Sequence, residues 1–137
     1  DSYIDYKYDI SPPGVLNLDY LPHADHWRRR FKIFLFLDNV TKKNGPLCYL
    51  EKSHFNLDWK IDFEYDYYRS DISNNYLTRY LNLTPSEFYK IKKVHKLNLQ
   101  TSLCNKGDIF FVDTNGFHFG TPIYEGKRTS LVLNYGI

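Results

Sequence analysis

The chain has 137 residues, room for one domain, and a domain of that size buries roughly two-thirds of the surface its unfolded form exposes. Hydrophobic residues make up 42% and aromatic residues 18%, with 13 Tyr, 10 Phe and 2 Trp, which favours strands and excludes an intrinsically disordered chain. A net charge of +2 gives no general footprint for nucleic acid, and no apolar stretch approaches the roughly 20 residues that span a bilayer.

The start carries no signal-peptide pattern, so the cytoplasm is the expected location. The chain contains no Met and begins at Asp1, which leads us to expect a single core domain over residues 1–137 that belongs to a longer protein. Cys48 and Cys104 lie far apart without a Cys-x-x-Cys spacing, so neither a zinc ribbon nor a disulfide framework is signalled, and both are expected as buried thiols.

In chain order, the first motif is His23-Ala24-Asp25, followed by the basic run Arg28-Arg29-Arg30. That run reads either as a solvated turn or as a local site for an anionic substrate group. Phe31 to Leu37 is apolar except for Lys32 and rich in β-formers, which predicts a buried strand. Asn44-Gly45-Pro46 signals a turn before a short strand at Leu47 to Leu50. From His54 to about Arg79 no period of 2 or 3.6 holds, and a long substrate-facing insertion is one expectation.

Thr84-Pro85-Ser86-Glu87 is a capping box with Pro at the first helical position, predicting a short helix at about 84–93. Strands are predicted at Leu97 to Leu103, Ile109 to Val112 and Arg128 to Tyr135, with a turn at Asn105-Lys106-Gly107. Many short strands and one clear helix indicate a mainly antiparallel sandwich or jelly roll.

His23 and Asp25 are two apart, so an extended backbone puts both side chains on one face, about 6.6 Å apart along the chain. An H-x-D pattern alone is more often a hydrogen-bonded structural couple than a metal site. A metal held on one face needs a third ligand, and His118 is the candidate. Two histidines and one carboxylate form the facial triad of non-haem iron(II) oxygenases, which leaves positions open for cosubstrate and O₂.

Arg128 follows His118 by ten residues across a loop containing Gly120, Pro122 and Gly126, so a hairpin return would bring it beside the metal. Its planar fork suits the distal carboxylate of 2-oxoglutarate better than Lys would. Ser130 shares its strand face and offers a second donor.

The stretches LPHADHWRRRFKIFLFLDNVTKKNGPLCYLEKSH (21–54) and GDIFFVDTNGFHFGTPIYEGKRTSLVLNY (107–135) resemble the phytanoyl-CoA dioxygenase family. Its pattern of H-x-D, strand, Asn-Gly-Pro turn, Ser-His pair, Gly-Asp, strand, second His and later Arg is present in order. The resemblance implies a double-stranded β-helix (cupin-like jelly roll) with one or two short helices. It further implies iron(II) on His23, Asp25 and His118, and 2-oxoglutarate on Arg128. The implied reaction is hydroxylation of a small-molecule or carrier-linked substrate, coupled to decarboxylation of 2-oxoglutarate to succinate and CO₂. Family members carry an N-terminal part with extra helices that this sequence does not contain.

Glu51-Lys52-Ser53-His54 replaces the family's Pro-Gly-Ser-His turn, so a different loop conformation is expected there, without consequence for the metal ligands. Asp25 keeps the carboxylate that halogenating relatives replace, which favours hydroxylation. The arginine-rich signature of the nucleic-acid demethylating branch is absent from RTSLVLNYGI.

Among the remaining candidates, His26 points to the face opposite Asp25 and reads as a supporting or surface group. His54 is a rival third ligand. His95 is expected to be exposed among lysines, and Asp113 to anchor the loop before His118 through nearby backbone. Trp27, Phe117 and Phe119 are expected to pack in the core, a role compatible with walling the site against water. The rival functions are a non-catalytic jelly-roll or cupin module that binds a sugar or small metabolite, and a cupin-type dioxygenase needing no cosubstrate.

Overall fold

The computed structural model describes residues 2–9, 18–25, 29–71 and 81–136. Its strands are β1 (Ser2–Asp9), β2 (His23–Ala24), β3 (Arg30–Phe36), β4 (Leu47–Leu50), β5 (Leu81–Asn82), β6 (Leu99–Thr101), β7 (Ile109–Asp113), β8 (His118–Gly120) and β9 (Arg128–Gly136). Two helices, α1 (Asp58–Asp71) and α2 (Pro85–Val94), and a 3-10 turn at Leu18–Tyr20 complete the described elements. The architecture is mainly β, as the short, punctuated strands of the sequence indicate.

The strands form two antiparallel sheets, ordered β1-β9-β3-β7 and β5-β2-β8-β4-β6. In the second sheet one row runs Asn82, His23, His118, Tyr49, Gln100 across five strands. Side chains alternate along each strand, so the neighbours of this row face the other way. Ala24, Leu50, Phe117 and Phe119 accordingly join Leu81, Leu83, Phe88, Ile91 and Leu97 in a core against the helices. Phe88 of α2 meets Phe119 edge to face at 5.4 Å. The sheet thus has one face sealed by helices and the other turned to the first sheet, where the histidines sit.

The first sheet has the complementary arrangement. Lys32, Phe36, Val132 and Ser130 point inward, while two apolar rows point outward: Ile4, Leu133, Ile33, Phe111 and Tyr6, Leu131, Leu35, Ile109. Phe111 is 76% exposed and Ile4 73% exposed, so among the described residues nothing covers this face.

Helix α2 begins as predicted: Thr84 Oγ1 accepts from the Glu87 N–H at 3.2 Å, and the Glu87 carboxylate accepts from the Thr84 N–H at 2.8 Å. Within the segment 54–79, where the sequence shows no steady period, Asp58–Asp71 form helix α1, and 72–79 lie outside the described residues. Trp59, Phe63 and Tyr67, spaced i, i+4, i+8, pack on the core, while Ile61 and Tyr65 remain exposed and blur the stripe. Cys48 is buried as expected, but Cys104 is only half-buried at an isolated bridge to Val40.

Candidate metal centre

His23 and His118 face each other across the β2–β8 pair, with ring centroids 4.5 Å apart. Each imidazole is held in the same way. His23 Nδ1 lies 2.7 Å from the Leu21 carbonyl and His118 Nδ1 lies 2.8 Å from the Gly116 carbonyl. A carbonyl only accepts, so Nδ1 carries a proton in both rings and Nε2 is the nitrogen that each ring turns to the cluster.

Both Nε2 atoms point at one oxygen, Asp25 Oδ1, at 3.6 Å and 3.7 Å. Asp25 is placed there by its backbone, whose N–H donates to the Thr114 carbonyl at 2.9 Å. Thr114 is fully buried and in turn donates its own N–H to the Arg30 carbonyl at 2.8 Å, which ties the H-x-D segment to β3. The distal oxygen Oδ2 faces Lys32 Nζ at 2.5 Å.

Burial lifts the Asp25 carboxyl, but His23, His118 and Lys32 outweigh that effect and hold it below the usual carboxylate range. Burial, reinforced by the His23 charge, pushes His118 down to about 4, so its ring is neutral at pH 7. The neutral His118 ring and the ionised Asp25 carboxylate therefore meet His23 Nε2 in one cluster, all ligand atoms lying within 4.8 Å of one another. Imidazole nitrogen with carboxylate oxygen is the donor chemistry of first-row divalent metals. The residues present fit a metal of that kind.

The turn before His118 is braced from three sides. Asp113 Oδ1 accepts the Asn115 N–H at 3.0 Å, which agrees with the anchoring role read from the sequence. Lys60 of α1, only 1% exposed, donates to the Asn115 carbonyl at 2.6 Å and also reaches its side-chain oxygen. Ser53 Oγ accepts the Phe117 N–H at 2.8 Å. The 51–54 loop thus does support a ligand strand, contrary to expectation. Lys52 there adopts φ 65°, the left-handed conformation that glycine takes most readily.

Tyr49 lies beside His118, ring centroids 6.5 Å apart, and its hydroxyl donates to the Asp113 carbonyl at 2.9 Å. A Cβ at Gly116 would collide with the Tyr49 ring, which is why that position is glycine. Two residues beyond His118 and on the same face, Gly120 faces Arg128: a Cβ there would come to 3.8 Å from Arg128 Nη1. Arg128 Nη1 also donates to the Gly45 carbonyl of the Asn-Gly-Pro turn. Gly45 has φ 72°, and a Cβ on it would meet Thr121 O at 2.6 Å, so only glycine fits. Ser130 is buried on the same strand face as Arg128.

His54 is not part of the cluster; its ring lies tilted against Phe55, centroids 4.1 Å apart, and near Tyr49 at 6.3 Å. His95 is not a free surface group but lies flat on Trp59, centroids 4.2 Å apart. Phe117 is fully buried and Phe119 half-buried, both in the core behind the ligands. His26, Trp27 and Arg28 lie outside the described residues, while Arg29 and Arg30 are exposed. Lys32, Lys60 and Thr114 escaped the sequence reading, and Gly120, expected in a loop, ends strand β8. Only Lys32 left a trace, as the single charge in an apolar strand.

Fold and site together define a mainly β domain with a two-histidine, one-carboxylate cluster between antiparallel sheets. No family model matches the chain, and no curated protein matches it significantly. Among solved structures the chain is similar to HygX from Streptomyces hygroscopicus with iron bound, at 18% identity and a TM-score of 0.44. The likeness covers 79% of this chain and 37% of HygX, so the chain spans little more than a third of that protein. No described helix is long and apolar enough to cross a membrane.

Proposed function

We propose that this chain forms the core of a non-haem iron(II), 2-oxoglutarate-dependent oxygenase of the phytanoyl-CoA dioxygenase type, built on a double-stranded β-helix. The observation that carries the reading is the convergence of His23 Nε2, His118 Nε2 and Asp25 Oδ1 with both Nδ1 protons engaged elsewhere. In this reading those three residues hold iron(II) on one side and leave the other side open. Bound iron and 2-oxoglutarate supply the oxidising chemistry: O₂ is consumed, 2-oxoglutarate becomes succinate and CO₂, and a C–H bond of a small-molecule or carrier-linked substrate becomes C–OH.

The protein's own contributions are binding and orientation. Leu21 and Gly116 carbonyls fix the imidazole tautomers and ring directions, a support that metal-binding histidines generally require. Arg128 takes the far carboxylate of 2-oxoglutarate in a bidentate, charge-assisted contact, with Ser130 as a second donor. Gly120, without a side chain, keeps the path from the histidines to Arg128 open. It lies two residues, or roughly 6.8 Å, along the strand from His118, a gap that a five-carbon diacid bridges. Phe36 and Val112 line the facing sheet and limit water.

The direct test is anaerobic titration of the protein with iron(II) and then with 2-oxoglutarate, read by the visible charge-transfer band of the chelate, followed by succinate release on admitting O₂ with candidate substrates. Iron binding with the band and succinate supports the reading. Failure of the wild type to bind iron(II) removes it.

A further inference from the structure

Asp25 is divided between two partners. Its Oδ1 faces both imidazoles, while its Oδ2 meets the Lys32 ammonium at 2.5 Å. Lys32 comes from the opposite sheet, at the centre of β3 between Val112 of β7 and Asn134 of β9. It is the one charged residue among the inward-facing positions 32, 34 and 36 of that strand. A lysine there forgoes the apolar packing that its neighbours supply, so its presence asks for a polar purpose.

We propose that Lys32 is a positioning residue that fixes Asp25 as a one-oxygen metal ligand and so keeps a coordination position open. This inference rests on the metal centre of the preceding section. A carboxylate on a divalent ion is free to bind through one oxygen or to swing and bind through both. An octahedral ion held by three donor atoms keeps three positions open, and a two-oxygen Asp25 would leave only two. A cosubstrate that chelates through two atoms would then leave no place for O₂. The ammonium engages Oδ2, the oxygen not shared with the histidines, and removes the second mode. Lys32 also sits near enough to repel a divalent cation, so the open position is obtained at some cost in metal affinity.

The test uses Mn(II) as the metal and counts its bound waters from the line broadening and ENDOR of ¹⁷O-enriched water, on the full chain without cosubstrate. We expect three waters in the wild type, two in Lys32→Met with Mn(II) affinity unchanged or tighter, and three again in Lys32→Arg, which restores a cation. Three waters in a folded Lys32→Met protein, or two in the wild type, would overturn the proposal. The wild-type count stands as a test even if Lys32→Met fails to fold. A wild type that binds no Mn(II) at all defeats the metal centre itself, and this inference with it.

Discussion

Arg128 reaches over Gly120 on the histidine side of the second sheet, its Nη1 3.8 Å from where a Gly120 side chain would begin. The same point would lie 3.7 Å from Tyr20 Cδ1 and 3.7 Å from the Asp19 carbonyl, so a methyl group just fits and a larger side chain does not. Gly120→Ala should therefore leave 2-oxoglutarate binding nearly intact. Gly120→Val, whose β-branched side chain suits the strand, should weaken it about tenfold or more while iron binding stays. Paired titrations of metal and cosubstrate check this; equal cosubstrate affinity in both variants would show that the path lies elsewhere.

Arg128→Lys keeps a positive charge but loses the planar fork, and Arg128→Gln loses the charge as well. A charge-assisted hydrogen bond is worth about 1.5–3 kcal/mol, so cosubstrate binding should weaken by about tenfold to over a hundredfold, more in the Gln variant. Iron affinity should change little. If all three proteins titrate alike with 2-oxoglutarate, Arg128 serves only the Gly45 turn.

Asp25→Ala leaves two imidazoles and a half-buried Lys32 without its counter-ion, so iron(II) binding should be abolished or reduced by orders of magnitude. His54→Ala should retain the metal, since that ring packs against Phe55 and Tyr49 rather than on the cluster. Isothermal titration or a chelator competition separates the two outcomes.

The metal-free protein should lose stability as pH falls from 6.5 towards 4. His118 is held down to about 4 in the folded chain against 6.5 unfolded, so the unfolded state binds the extra proton through this window. Asp25, held below the usual range, is ionised when folded throughout it and adds no opposing slope. Taken alone the His118 effect amounts to at most about 3 kcal/mol. Urea denaturation at pH 7 and pH 4.5 measures it, and a flat profile would contradict a neutral, buried His118.

Lys60→Met should destabilise the chain by about 1–3 kcal/mol, because the buried Asn115 carbonyl loses its donor. Burial depresses the Lys60 ammonium and raises the Glu64 carboxyl 3.4 Å away, and the variant removes this pair together with the contact to Asn115. Metal affinity should fall with it, since the turn that aims His118 loosens. Unaltered metal affinity in a folded variant would confine Lys60 to a stabilising role.

Local signals along the chain suffice for the pieces that close on themselves. Thr84 to Glu87 fixes the start of α2 because a capping box is complete within four residues, and Gly45 fixes its turn because only glycine takes that φ beside Thr121. The two-residue period of a strand put His23 and Asp25 on offer together, and the alternation of β9 put Arg128 beside Ser130. Helix α1 was harder to read, since its packing stripe of Trp59, Phe63 and Tyr67 is one residue wide and runs among exposed aromatic residues. That His118 rather than His54 meets His23 depends on which strand pairs with β2, a long-range choice with no local signal. The same holds for the tautomers, which two backbone carbonyls set, and for Lys32 and Lys60, whose partners lie 7 and 55 residues away in sequence. A lysine's purpose inside a fold is written in what faces it, and pairing between distant segments has no periodic trace along the chain.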